Sequence, residues 1–198
     1  QYGTFYTNIC TSTSGRPQRN MSNIPLISVS GTPFAMGVEW GGKAQRYIRT
    51  GVSFYKRHWL EMTKCTWAQS ARILAPTIAL TKKLLPATFA ELQGAGKGSG
   101  IPWRDLFIIN SYEALERFRS RNKCTSIIAR TKNRSMLLAH NEDWTMADQK
   151  LIYVVHARPK GEPAFLCPTY GPWLQTYGLT SAGLAFAAAL SLSLARCL

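Results

Sequence analysis

Two stretches of the 198-residue chain carry residue types that could do nucleophilic chemistry. In residues 123–129, Cys124 stands at the head of a β-prone run, and residues 137–144 form a second apolar run that ends in Asn141 and Asp143. A short polar segment between the runs predicts a hairpin, which would bring Asn141 and Asp143 beside Cys124. A thiol, an amide donor and a carboxylate at one place could attack a carbonyl and stabilise the oxyanion.

A nucleophilic thiol needs a base, and the sequence suggests an unusual one. His140 adjoins Asn141, so strand alternation directs the two side chains to opposite faces, which predicts a structural role for His140. Neither local cysteine-protease signature surrounds Cys124. Cleavage of the Lys123–Cys124 peptide bond would free an α-amino group with a pKa near ~8, suited to taking the thiol proton. Asp143 would then hold that amine.

The composition limits the partners that the protein can have. A net charge of +14, from 24 basic and 10 acidic residues, favours anionic partners such as nucleic acid, phosphate-bearing cofactors or an acidic membrane surface. A basic solvated face is the alternative explanation. Nucleic-acid binding is not expected, because the chain has no Lys/Arg block interleaved with aromatics and no zinc-finger spacing. No apolar stretch is long enough to span a bilayer.

The number and spacing of the cysteines indicate the redox state of the compartment in which the protein folds. The five are widely spaced and odd in number, with no CxxC motif, which does not fit a disulfide framework. A reducing, intracellular compartment is therefore favoured.

The organisation predicted along the chain is that of one α+β domain. Residues 1–23 are polar and are predicted to form a loose arm. Residues 24–123 are mainly helical in pattern, with Thr32 as an N-cap before Pro33, and residues 124–198 are β-rich. Helices followed by antiparallel strands are typical of the α+β class.

The spacing of apolar residues and the positions of glycine and proline predict the individual helices and strands. The first helical region spans roughly 34–63, and its Gly37, Gly41 and Gly42 predict close packing against another element. The second spans roughly 66–93 with interruptions at Pro76 and Pro86, and the third roughly 102–116. Strands are predicted at residues 24–29, 125–130, 136–139, 151–157, 164–167, 174–177 and 184–190.

Residues 92–100 are rich in glycine and superficially similar to a phosphate-binding loop. They lack the Gly-Lys-Ser/Thr ending at the required spacing and a preceding strand. A plain flexible linker is predicted instead.

The residues around Cys124 resemble a known family. Residues 124–126 and 138–144 are similar to the Cys-Thr and Asn-x-Asp-Trp signature of the acyl-coenzyme A:6-aminopenicillanic-acid acyltransferases, self-processing cysteine peptidases among the N-terminal nucleophile hydrolases. Residues 31–41, 108–113 and 178–184 resemble the family's opening helix, its helix before the cleavage site and its Gly-x-Asn-Ser-Ala-Gly segment.

The resemblance implies an αββα sandwich made as a precursor that cuts itself before Cys124. The segment 24–123 would stay bound as the smaller subunit, so that the two cleaved segments associate. Cys124 would attack a small-molecule amide or thioester, Asp143 would hold the new N-terminus, and Asn141 would shape the site or donate to the oxyanion. The acyl group would pass to an amine or to water. No metal or redox cofactor is implied, although an acyl-coenzyme A could be a substrate.

Three departures from the family pattern support an alternative. Lys123 stands where many members have Gly, and Ala189 stands where the family's Asn is expected. Family members continue well beyond residue 198, so we expect this chain to be an N-terminal portion with part of its second sheet missing. An inactive member that serves as a binding or interaction protein is therefore the alternative function. A basic nucleic-acid-binding module is a third, supported by charge alone.

Overall fold

The computed structural model describes residues 2–7, 24–115, 124–130, 132, 136–175 and 177–187, of which residues 2–7, 142 and 143 are described by their backbone. These residues form a mixed α and β structure, which confirms the predicted α+β class. The helices are α1 (Pro33–Lys43), α2 (Gln45–Thr63), α3 (Trp67–Leu84), α4 (Pro86–Ser99), α5 (Trp103–Asn110) and α6 (Tyr112–Leu115), and a 3₁₀ helix spans Met146–Leu151. The strands are β1 (Tyr2–Thr7), β2 (Leu26–Gly31), β3 (Thr125–Arg130), β4 (Met136–Thr145), β5 (Ile152–Pro159), β6 (Phe165–Tyr170), β7 (Gly178–Thr180) and β8 (Ala185–Phe186).

Helix α1 begins as the sequence predicts. The Thr32 hydroxyl accepts a hydrogen bond from the backbone N–H of Ala35 at 3.3 Å, and Pro33 occupies the first helical position. The hydrogen bond pairs one of the backbone N–H groups that have no partner within the helix. Proline lacks a backbone N–H, but at the first helical position that N–H would have no helical partner in any case. The predicted helical region 34–63 is divided at Ala44 into α1 and α2.

Helices α1 and α4 pack with their backbones in contact. A Cβ added to Gly37 would lie 2.1 Å from the Glu91 carbonyl oxygen, and one added to Gly98 would lie 2.1 Å from that of Val38. Gly41 and Gly94 are equally tight against the facing helix. The predicted close packing of the α1 glycines is thus confirmed, at Gly37 and Gly41.

The same contact shows that the prediction of a linker at residues 92–100 is wrong. Residues up to Ser99 belong to α4, and Gly100 ends the helix in the left-handed conformation. Glycine costs a helix roughly 1 kcal/mol relative to alanine, and packing against α1 outweighs that cost.

The two predicted proline interruptions have different outcomes. The prediction at Pro76 is wrong, because α3 runs through this exposed residue. A capping box at Thr66 and Gln69 and the burial of Leu74 hold α3 together despite the missing N–H. Pro86 does separate two helices, because it occupies the start of α4, where no backbone donor is required.

The strands form two sheets. The larger has the order β2-β5-β6-β7-β8, with β2 parallel to β5 and the other pairs antiparallel. The parallel pair departs from the predicted antiparallel arrangement. It forms because the α-helical segments come between β2 and β5 in the chain and allow a crossover. Trp40 of α1 donates its indole N–H to the Tyr153 hydroxyl of β5 at 2.9 Å, which ties the helices to this sheet.

The smaller sheet has the order β1-β4-β3. Its strand β1 corrects the loose arm predicted for residues 1–23, since residues 2–7 pair with β4 from Tyr2↔Thr145 to Thr7↔His140. The segment is rich in Tyr, Phe and Thr, which favour strands, and β4 offers it an edge. Residues 8–23 lie outside the described part of the chain.

Several strands and helices have bounds that differ from the predicted ones. Residues 174, 175 and 177 of the predicted strand 174–177 are not in a strand. Of the strand predicted over residues 184–190, the structure confirms the two residues of β8, and residues 188–190 lie outside the described part of the chain. The predicted third helix is divided at Ser111 into α5 and α6. Within this region Leu106, Ile109 and Leu115 are all buried.

Candidate active site

The hairpin predicted around the cysteine is present. Strand β3 pairs with β4 in antiparallel register, with Thr125 opposite Asn141 and Ser126 opposite His140. Cys124 is half-buried and immediately precedes β3. Continuing the register by one pair places the Cys124 backbone beside residue 142, between Asn141 and Asp143 along β4. The predicted proximity of these residues is therefore supported at the level of the backbone.

The two faces of the hairpin are different. Directly opposed residues share a face, so Thr125 and Asn141 lie on one side, and Ser126 and His140 on the other. The Ser126 hydroxyl lies 3.0 Å from His140 Nδ1, which agrees with that division. His140 thus lies on the face opposite Asn141, as the sequence predicts. If the alternation of β3 continues by one residue, Cys124 falls on the face of Ser126 and His140.

Two further residues of the predicted site are Asp143 and Lys123. Asp143 is located by its backbone, which pairs with Thr4 of β1 in the centre of the three-stranded sheet. Lys123, the residue before the predicted cleavage point, lies outside the described residues. The roles predicted for Cys124, Asn141 and Asp143 remain predictions.

Trp144 anchors the strand that carries Asn141 and Asp143. Its side chain is buried, and its ring packs edge-on against Tyr112 of α6 and against Trp173, with centroids 5.4 and 5.3 Å away. Its indole N–H donates to the Tyr55 hydroxyl of α2 at 2.9 Å. This contact holds the end of β4 against the helices and so sets the position of the two preceding polar residues.

Tyr55 is the centre of a buried polar network. Its hydroxyl accepts hydrogen bonds from the indoles of Trp144 and Trp173, each at 2.9 Å, and donates to Asp148 Oδ2. Asp148 is 2% exposed, and burial raises its pKa to about 7, although hydrogen bonds from Tyr55 and Trp144 act in the opposite direction. Burial also raises the pKa of Tyr55 well above its usual value, and the Asp148 carboxylate adds to that shift.

Asn110 connects α5 to the segment that follows β6. Its side-chain amide donates to the carbonyls of Leu106 and Pro172 at 2.9 Å, and its carbonyl accepts from the Leu174 N–H at 2.8 Å. These bonds satisfy the backbone on either side of Trp173 and hold it against Tyr55. They also explain why residue 174 does not join a strand, since its N–H is used by a side chain.

An apolar cavity lies against the hairpin. It has a volume of about 220 Å³, and strand β4 lines it with Met136, Leu138 and His140. The opposite wall includes Tyr177, whose ring centroid lies 5.0 Å from that of His140. The β7–β8 region supplies the rest of the lining with Gly178, Leu179, Gly183, Ala185, Phe186 and Ala187, while Leu137 adds to the β4 side. The cavity is on the face to which Cys124 is assigned by alternation.

The arrangement offers two elements of acyl chemistry on one face of the hairpin, a cysteine at a strand end and an apolar space beside it. The amide of Asn141 is on the neighbouring strand, but alternation places it on the opposite face from Cys124. Among the described residues no group of three or more His, Cys, Asp or Glu side chains could hold a metal. No helix in that part of the chain is long and apolar enough to cross a membrane.

Sequence reasoning missed the residues that position the site. Tyr55, Asp148 and Trp173 come from three separate segments, so no spacing pattern could connect them. A signal existed for Trp144 and Asn110, which lie in segments that resemble the acyltransferase family, but their contacts could not be inferred from it.

No family profile matches this chain, and no curated protein matches it either.

Proposed function

We propose that this chain is a self-processing cysteine amidohydrolase or acyltransferase of the N-terminal nucleophile type, with the αββα sandwich as its complete architecture. The supporting observation is the β3–β4 register, in which Thr125 pairs with Asn141, so that continuing it by one pair would place the Cys124 backbone beside residue 142. The substrate is an N-acyl amide or an acyl thioester, including an acyl-coenzyme A.

Self-cleavage would begin with attack of the Cys124 thiol on the carbonyl carbon of residue 123. The peptide C–N bond breaks as a thioester forms, and the nitrogen takes the proton lost by the thiol. This step frees the α-amino group of Cys124. Water then hydrolyses the thioester, which leaves a carboxylate on residue 123 and frees the thiol. No external oxidant or cofactor is needed for this sequence.

In the acyl-transfer reaction the new α-amino group takes the thiol proton, and the thiolate attacks the substrate carbonyl. Asn141 would donate to the oxyanion and lower the barrier by charge stabilisation. This requires the Cys124 side chain, which precedes the first paired residue of β3, to turn toward the face of Asn141. The leaving amine or thiol takes the proton as the acyl-cysteine forms, and water or an acceptor amine then removes the acyl group. Asp143 holds the protonated amine in position between these steps.

The cavity beside the hairpin suggests the acyl specificity. Its walls are mainly aliphatic and aromatic, and a volume of about 220 Å³ favours an apolar acyl group of moderate size. The acyl chain would occupy this space with its carbonyl toward Cys124. The amine or coenzyme portion would then lie outside the cavity.

The decisive measurement is the intact mass of the purified protein over time. We expect two products, residues 1–123 and 124–198, and no such products from Cys124→Ala. Cys124→Ser keeps a weaker nucleophile and should cleave more slowly. The proposal is wrong if wild-type protein, and a version extended to any natural continuation of the chain, both remain intact while folded.

The cavity also supports a second candidate, an inactive member that binds an apolar ligand. Labelling with a small thiol-directed electrophile distinguishes the two. Rapid labelling of Cys124 that is lost in Cys124→Ala supports catalysis, whereas slow labelling together with fatty-acyl ligand binding supports a binding protein.

A further inference from the structure

Helix α3 presents an apolar stripe to solvent. Ile73, Leu80 and Leu84 are 50, 55 and 64% exposed. Spacings of seven and four residues place all three within one narrow sector of the helix surface. Leu85, directly after the helix, is 55% exposed and extends the stripe.

The fold does not need this stripe. The fully buried residues of α3 are Ser70 and Leu74, which lie on the flank of the stripe that faces the core, where the Ser70 hydroxyl accepts from the Trp59 indole at 2.8 Å. Isolated exposed leucines are ordinary on protein surfaces, but a row of them along one helix marks an interaction surface.

The charges that α3 itself carries are of one sign, although the Asp105 carboxylate of α5, paired with Lys56, accepts from the Trp67 indole at its N-terminal end. Between Glu61 and Glu91 the chain contains no acidic residue, whereas Lys64, Arg72, Lys82 and Lys83 are all present and exposed. Arg72 and Lys83 lie on the solvent side of α3, next to the stripe when the helix is viewed down its axis. The surface is therefore apolar along its centre and cationic along one border.

We propose that this α3 surface docks on an anionic lipid bilayer. A second copy of the chain would bring a surface of the same positive charge, which opposes self-association through the stripe. A bilayer with anionic head groups complements both features, since leucines enter the boundary of the acyl region and lysines meet the head groups. The helix would lie in the interface, in a role independent of the chemistry proposed at Cys124.

The test measures partition of the intact protein onto phosphatidylcholine vesicles with and without phosphatidylserine, by sedimentation at low and high salt. We expect binding that requires phosphatidylserine and weakens with salt. Leu80→Ser/Leu84→Ser keeps every charge and should lower the partition constant at least about tenfold, since each leucine loses much of its transfer free energy. Arg72→Gln/Lys83→Gln should lower it at low salt.

The matched control is Leu26→Ser/Ile128→Ser, which removes two apolar side chains that are 62 and 72% exposed elsewhere on the surface. It should leave the partition constant unchanged. The proposal is overturned if wild type fails to bind phosphatidylserine vesicles. Equal binding by both serine variants would also overturn it, because net charge would then suffice. A wild-type dimer that Leu80→Ser/Leu84→Ser converts to monomer would assign the stripe to self-association instead.

Discussion

The indole N–H of Trp144 and the hydroxyl of Tyr55 lie 2.9 Å apart, and this hydrogen bond ties the strand that carries Asn141 and Asp143 to the long helix α2. Trp173 donates to the same hydroxyl, and the hydroxyl donates to Asp148. One phenol oxygen therefore joins four segments of the chain behind the candidate site. We therefore expect any change in this network to alter the position of the hairpin residues.

Tyr55→Phe removes that oxygen while keeping the ring. The two indole N–H groups and the Asp148 carboxyl then lack their common partner inside the core. We expect the free energy of unfolding to fall by about 2–4 kcal/mol, because each unsatisfied buried polar group costs about 1–3 kcal/mol. Denaturant titration measures this. Tyr47→Phe, which loses a hydroxyl bonded to the exposed Arg46, should cost less than about 1 kcal/mol.

The stability of the fold should fall as the pH rises from about 4 to about 7. Burial raises the pKa of Asp148 from 3.8 to about 7 and that of Glu91 from 4.5 to about 7. In that window the unfolded chain has ionised these carboxyls while the folded state still binds the protons, so stability declines. Each group contributes on the order of a few kcal/mol across the window.

Chemical denaturation at a series of pH values tests this. Asp148→Asn and Glu91→Gln should each flatten the decline, while Glu113→Gln, at an exposed position on α6, should leave it as it is. A wild-type stability that rises between these pH values would contradict the assignment.

The helix contact between α1 and α4 should tolerate no side chain at its centre. Gly94→Ala would place a Cβ 2.2 Å from the Phe34 carbonyl oxygen, so the two helices must separate. We expect a loss of at least about 2 kcal/mol in the free energy of unfolding. Gly42→Ala is the matched control, since its nearest neighbour would be 3.9 Å away, and it should be neutral or stabilising by up to about 1 kcal/mol. Equal destabilisation by both would refute this account of the interface.

The roles predicted for Asn141, Asp143 and His140 can be tested by substitution. If Asn141 donates to the oxyanion, Asn141→Ala should slow acylation by about 10²–10³-fold with little change in substrate affinity. Asp143→Asn should lower activity and disturb its pH dependence near the pKa of the α-amino group. His140→Gln should keep most of the activity, because the base is the amine. If His140→Gln abolishes acylation in a folded protein, the base has been assigned wrongly.

Filling the cavity should change acyl-chain preference. Ala185 lines the space beside β4, and Ala185→Phe would occupy part of the 220 Å³. We expect the KM for medium-chain acyl substrates to rise by about tenfold or more, with acetyl substrates little affected, because only the longer chain needs the lost volume. Ala75→Phe, at an exposed position on α3, controls for the added ring.

Local patterns predicted the parts of the fold that depend on neighbouring residues. The strand at residues 125–130, the N-cap at Thr32 and the start of α4 at Pro86 all appear as expected, because each follows from propensities and hydrogen bonds within a few residues. The hairpin follows in the same way, since its two strands are joined by a short polar turn. Its register then brings the backbone of Asn141 close to that of Cys124.

Where local patterns failed, contacts with distant segments outweighed them. The glycines of residues 94–98 suggest a flexible linker, yet they are helical because α1 lies against them. Residues 2–7 pair with β4, more than 130 positions away in the chain. Pro76 remains inside α3, where packing and capping compensate for the lost hydrogen bond.

The amino-acid sequence by itself determined the α+β class, the hairpin and the set of candidate site residues, because strand period and turn chemistry act over short distances. Only the tertiary structure decided that Tyr55, Trp144, Trp173 and Asp148 share one buried network, and that an apolar cavity lies beside the hairpin. Side-chain packing and the desolvation of buried polar groups join residues that are far apart in the chain, and no local pattern encodes those encounters.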